Sequence, residues 1–112
     1  MQQAAGGRLF VNARIDTYLR GSADPLTEAL ERGRLYVEAG AECVYPMLAP
    51  NKDIGVPAEE LSVPLNTWSP VGGSPSRREL GAAGASRITF GGGLALRAQA
   101  AAIELARGLR VG

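Results

Sequence analysis

The sequence predicts an α/β chain in which four βα units build one parallel sheet. Two stretches carry that prediction. "YVEAGAECVYP" (36–46) and "LGAAGASRITFG" (80–91) both read as a helix end, an Ala-Gly-Ala step and a β-rich run. Gly40 and Gly84 fit the position after a helix, where positive φ closes the last turn. The runs that follow, Cys43–Met47 and Arg87–Phe90, are short and mostly apolar, as buried parallel strands are.

The remaining elements follow in order. Leu9–Ile15 is the first strand, with Phe10, Val11, Ala13 and Ile15 apolar and Asn12 and Arg14 between them. Asp24 before Pro25 is an N-cap followed by proline at the first helical position. Leu26, Ala29, Leu30 and Val37 then keep helical spacing up to Gly40, with Glu28 and Arg32 as an exposed (i, i+4) pair. A strand lies within 62–68 ("SVPLNTW"), where Pro64 marks its start or a bulge. Short helical turns are expected at 58–61 and 76–82, and "SPVGGSP" (69–75) is a loop. The last helix runs from about Leu94 to Leu109, with Leu94, Ala98, Ala101, Ala102 and Leu109 near one face. Four units cannot close an eight-stranded barrel, so the sheet is either small and open or half of a larger one.

Composition removes several function classes. The chain has 112 residues, a net charge of +1 and no histidine. Without histidine, Ser-His-Asp and Cys-His catalysis are excluded and a zinc site is disfavoured. The single Cys43 rules out an internal disulfide and sits at a strand start, as a small core residue does. No basic block points to nucleic acid, and no long apolar span points to a membrane. These features place the chain in the cytoplasm. Chemistry is left to carboxylates, arginine, a metal or backbone amides.

Ligands of parallel α/β folds meet the C-terminal ends of the strands. Asn12, Arg14 and Asp16 alternate there and share one face, so Arg14 faces a ligand, a solvated surface or Asp16 itself. "TFGGGLALR" (89–97) leads a strand through three glycines into a helix, where free N–H groups can meet an anion or simply make a tight turn. Arg97, one turn into that helix, is an anion partner or a surface charge. Asn66 and Thr67 offer neutral hydrogen bonds at the end of the third strand, and Trp68 is a packing residue or a pocket wall.

Together these segments resemble the isocitrate lyase/phosphoenolpyruvate mutase family. "FVNARIDTYLRGSADPLTEALERGRLYVEAGAECVYP" is similar to the family's fifth strand with its A-R-T-D signature, the next helix, and sixth strand. "VPLNTW" resembles the seventh strand, and "LGAAGASRITFGGGLALRA" the eighth strand and the start of its helix. The resemblance runs from about Leu9 to Arg107 and is weakest at 48–62. It implies that residues 1–112 form a single partial domain, the C-terminal half of a TIM-type (β/α)₈ barrel. The family acts on 2-hydroxy di- or tricarboxylates or on phosphonates, with Mg²⁺ steadying an enolate-like intermediate.

Carried over by position, Arg14 is the catalytic arginine that binds substrate carboxylate and developing charge. Asn66, Thr67 and Arg97 would hold a second carboxylate, and Gly91 and Gly92 would supply backbone amides. Met47 departs from the pattern, since lyase members commonly carry a glutamate there. The acidic magnesium ligands and the loop cysteine belong to the other half of the barrel, so no metal ligand is expected here. Such a half is expected to be inactive alone and to pair with a complementing half-barrel or with its own copies.

Overall fold

The structure is a computed structural model and describes residues 6 and 9–111. Strands and helices alternate: β1 (Asn12–Ile15), α1 (Pro25–Glu38), β2 (Cys43–Pro46), α2 (Asn51–Glu60), β3 (Asn66–Trp68), α3 (Arg77–Ala83), β4 (Arg87–Thr89) and α4 (Gly93–Val111). β1 pairs with β2 and β3 with β4, both in parallel. A parallel bridge between Val44 and Leu65 joins the two pairs, giving the order β1-β2-β3-β4. Consecutive parallel neighbours joined by helices are what four βα units require.

The repeated Ala-Gly-Ala step has the same hydrogen bonds both times. After α1, Ala41 N donates to Tyr36 O (2.9 Å) and Gly40 N to Val37 O (3.0 Å). After α3, Ala85 N donates to Leu80 O (3.0 Å) and Gly84 N to Gly81 O (3.1 Å). Both glycines have positive φ, +105° and +121°, which closes the helix and turns the chain into the next strand. The helix starts are capped by local side chains. Asp24 accepts from Thr27 N before Pro25, and Ser76 and Glu79 form a reciprocal capping box on α3.

The core lies on one face of the sheet. Ile15, Val44 and Leu65 project from three strands onto Ala29, Ile54, Leu61 and Leu80 beneath the helices. Burial of these side chains against water drives the packing, about 1.5–3 kcal/mol for each large one. The opposite face carries no helix.

The strand expected within 62–68 is present at Asn66–Trp68. Three expectations need correction. The turn predicted at 58–61 is the end of a longer helix, α2, which starts at Asn51 and continues through Pro57. Glu28 accepts from Ser22 Oγ (2.6 Å), and Arg32 has no ion pair among the described residues. The predicted apolar face of α4 is covered by nothing among the described residues: every described side chain from Leu94 onward is exposed. No helix of the described residues is long and apolar enough to cross a membrane.

Candidate functional site

Strand alternation sorts the sheet residues. Because Ile15, Val44, Leu65 and Ile88 face the helices, Arg14, Tyr45, Asn66 and Arg87 face the other way. Register then sets them in one cross-strand row. Arg14 pairs with Tyr45, the Val44–Leu65 bridge puts Tyr45 beside Asn66, and Asn66 pairs with Arg87. One step nearer the C-terminal ends come Asp16, Trp68 and Thr89. This helix-free face is the polar face of the sheet.

Arg14 lies on it as an ion pair with Asp16. Its Nε is 2.8 Å from Asp16 Oδ1 and its Nη2 donates to Oδ2 at 3.1 Å. Oδ1 is shielded from solvent and receives no aligned hydrogen bond, so the shorter contact is Coulombic. The side chains are 53% and 24% exposed, and a pair that open contributes at most about 1 kcal/mol. Two sequence alternatives therefore hold together: Arg14 pairs with Asp16, and both point away from the helices. Beside them, burial pushes the Tyr45 phenol up while the Arg14 cation opposes it. Burial likewise raises the Cys43 thiol, against a smaller opposing effect of Arg87. A buried protonated thiol is a packing group.

Asn66 shares the row but is already engaged. Its side-chain amide faces the Thr89 hydroxyl, with Nδ2 2.9 Å and Oδ1 3.1 Å from Oγ1. That bond ties β3 to β4 and fixes the amide's orientation. Thr67 does not join it. It pairs with Ile88 in register and faces the helices, fully buried, because neighbours on a strand point to opposite faces. Arg97 is turned to the β3–α3 loop, its Nη2 donating to Val71 O at 3.0 Å; it anchors that loop to the first turns of α4. Gly91 has φ +59°, and a Cβ there would lie 3.3 Å from Trp68 Nε1. Gly91 and Gly92 thus carry the chain past the indole, and Gly93 N donates to Phe90 O (3.1 Å).

Sequence reasoning missed Tyr45, Arg87 and Thr89. Each has the strand parity of the residue it joins, but only register reveals that they are neighbours. It also missed Tyr18, whose hydroxyl donates to Asp53 Oδ2 at 2.9 Å and fastens the β1–α1 loop to α2. That pairing spans 35 positions and leaves no local signal.

Comparison with known proteins decides the relationship. The family model described as phosphoenolpyruvate phosphomutase matches residues 1–110. The chain belongs to this family. Among solved phosphomutase relatives, a Burkholderia cenocepacia protein assigned as a phosphonomutase superposes with a TM-score of 0.84 at 26% identity, covering 96% of this chain and 45% of that one. A second protein of that organism, assigned as a lyase/mutase, gives 0.75 at 31% identity over 90% and 37%. The phosphoenolpyruvate phosphomutase of Streptomyces platensis subsp. rosaceus gives 0.72 at 28% identity over 93% and 38%. An uncharacterised Mycobacterium tuberculosis protein is 40% identical over 85 residues. The chain spans 32% of the length of that curated relative. Within the family, the four units are a parallel (β/α)₄ part of a TIM-type barrel, and the helix-free face is the barrel's inner face.

The described residues gather no cluster of acidic side chains on this face, and Asp16 is held by the Arg14 guanidinium. In this chain, the inner face carries the Arg14 guanidinium, paired with Asp16, and the Asn66 amide.

Proposed function

We propose that this chain supplies the anion-holding half of a lyase or mutase barrel whose substrate is a 2-hydroxy di- or tricarboxylate or a phosphonate. The carrying observation is the cross-strand row Arg14–Tyr45–Asn66–Arg87 on the helix-free face of a parallel sheet. On that face Arg14 binds a substrate carboxylate and stabilises the charge that develops on an enolate-like oxygen; a fixed guanidinium does this without reorganising. Asp16 positions the guanidinium until an anion arrives. Tyr45 borders it, and the Asn66–Thr89 pair holds the neighbouring strands in register. The magnesium ion that the family uses would be held by groups outside this chain. Residues 1–112 act as one partial domain, inactive by itself and complemented by another half-barrel or by copies of itself.

Oxalate, a mimic of the pyruvate enolate, tests the anion site. Titrated against the 112-residue chain, it should change Trp68 fluorescence saturably, and Arg14→Ala should weaken binding about tenfold, the usual worth of one charge-assisted contact. Oxaloacetate with Mg²⁺ should give no turnover. Robust turnover by the pure chain, or oxalate binding indifferent to Arg14→Ala, would overturn the proposal.

A second reading is a non-catalytic module that self-associates. It is favoured by the mutual pairing of Arg14 with Asp16 and of Asn66 with Thr89, which leaves fewer free groups for substrate. Strands β1 and β4 both present open edges. Light scattering at micromolar concentration distinguishes it: a dimer or larger that ignores oxalate supports this reading, and a stable monomer removes it.

A further inference from the structure

Tyr45 stands between Arg14 and Asn66 in the cross-strand row. No helix covers that face, yet Tyr45 is only 8% exposed. A buried phenol ordinarily spends its hydroxyl on a partner, and even the partly buried Tyr18 donates to Asp53 at 2.9 Å. The Tyr45 hydroxyl has no hydrogen bond among the described residues. Nor is it sealed in. Among the described residues, the unpaired side-chain oxygens shut off from solvent are Asn12 Oδ1 and Asp16 Oδ1, so the Tyr45 oxygen keeps access to the open side of the sheet. Asn66, its neighbour on β3, is taken up by Thr89. Asp16 engages Arg14 through Nε and Nη2, which leaves Nη1 unengaged. Burial raises the phenol and outweighs the Arg14 cation, which opposes it. At neutral pH Tyr45 is therefore a proton-bearing donor beside a cation.

We infer, resting on the proposed role of Arg14, that the Tyr45 hydroxyl donates to the anion Arg14 holds and makes the site select ligands with a second oxygen on the carbon next to the carboxylate. Neighbouring strands lie about 4.8 Å apart, so one small molecule touches both side chains. Its carboxylate takes the guanidinium, and its second oxygen accepts from Tyr45. A 2-oxo acid, a 2-hydroxy acid, oxalate and an enolate carry that oxygen; acetate does not. As negative charge grows on the second oxygen, the phenol bond strengthens, whereas a second cation in its place would repel Arg14. A ligand without that oxygen leaves the hydroxyl as it is in the free chain and gains nothing from it.

Oxalate and acetate are titrated at fixed ionic strength against the 112-residue chain carrying tyrosine labelled with ¹³C at Cζ. Oxalate should shift the Tyr45 signal saturably, with the midpoint that Trp68 fluorescence reports, and leave Tyr18 and Tyr36 unmoved. Tyr45→Phe keeps the ring, removes only the oxygen, and identifies the signal by its loss. It should weaken oxalate about tenfold, the worth of one charge-assisted hydrogen bond. Acetate should bind both chains equally, so the preference for oxalate falls by the same factor. Circular dichroism checks that the variant is folded. A Tyr45 signal unmoved at saturating oxalate, oxalate binding unchanged in Tyr45→Phe, or an equal loss for acetate would overturn the role of Tyr45 and leave that of Arg14 standing. Failure of the parent chain to bind oxalate would remove both.

Discussion

Helices α2 and α4 break the rules of helix formation in opposite directions. α2 contains Gly55 and Pro57, the two poorest helix formers, and is packed into the core, with Ile54 and Pro57 buried. α4 is rich in alanine, leucine and arginine, all strong helix formers, yet its described side chains beyond Gly93 lie open to solvent. A proline inside a helix costs about 3 kcal/mol. Burial of Ile54 and Pro57, one helical turn apart on the same face, offsets it. Tertiary contact therefore holds α2, and intrinsic propensity holds α4.

The strongest way to break that contrast is Ile54→Ala. Ile54 has no exposed surface and sits in the cluster with Ile15, Val44 and Leu65. Truncation should cost about 2–5 kcal/mol, read from the midpoint of urea unfolding at unchanged slope. A loss below about 1 kcal/mol would mean that α2 is held by something other than its core face.

Next comes Gly84→Ala, at the point where the turn after α3 meets α2. A Cβ at Gly84 would stand 2.7 Å from the Ala58 Cβ, on a backbone with φ +121°. Clash and left-handed strain together should cost roughly 1–3 kcal/mol. The equivalent Gly40, φ +105°, has nothing within 4 Å of its Cβ site, so Gly40→Ala should cost less. Equal costs would show that conformation alone, without the contact on α2, sets the penalty.

These two glycines also show what the chain announces locally. Gly40 and Gly84 were readable because each ends a helix in its own neighbourhood, and so was Asp24 before Pro25. The parallel order of the strands followed from the alternation itself. The length of α2 was hidden, because Gly55 and Pro57 are local breakers and the burial that overrides them comes from distant residues. The geometry of the candidate residues was legible only in part. Alternation set Asn12, Arg14 and Asp16 on one face, but that Asn66 lies on the same face, that Thr67 turns to the helices and that Arg97 reaches the β3–α3 loop follow from strand pairing and loop path. Tyr45 and Arg87 joined the row through register, which no single strand encodes.

Tyr18→Phe sharpens the comparison from the loop side. The phenol donates to Asp53 in the first turn of α2, and its loss should cost about 1 kcal/mol at pH 7. Burial first, then the hydrogen bond to Asp53 and the charges of Asp53 and Asp24, push the phenol above its ordinary 10.0. A raised folded value means that the unfolded chain gives up this proton first. The contribution is thus whole below about pH 10 and is lost as pH rises toward the folded value. Stability of the parent should fall more steeply above pH 10 than that of the Phe variant. Parallel curves would remove Tyr18 as the cause.

The smallest effect belongs to Leu105→Ala on α4. Leu105 is 72% exposed, so little apolar surface returns to water when it is truncated, and alanine slightly improves the helix. Stability should change by no more than about 0.5 kcal/mol in dilute solution. The same substitution on a packed helix costs several times that, which makes Leu105 a direct gauge of what covers α4. A loss approaching that of Ile54→Ala, and growing with protein concentration, would mean that another surface buries this helix in solution. The contrast with α2 would then be one of partner rather than of mechanism, with a core supplied by the chain in one case and by a second molecule in the other.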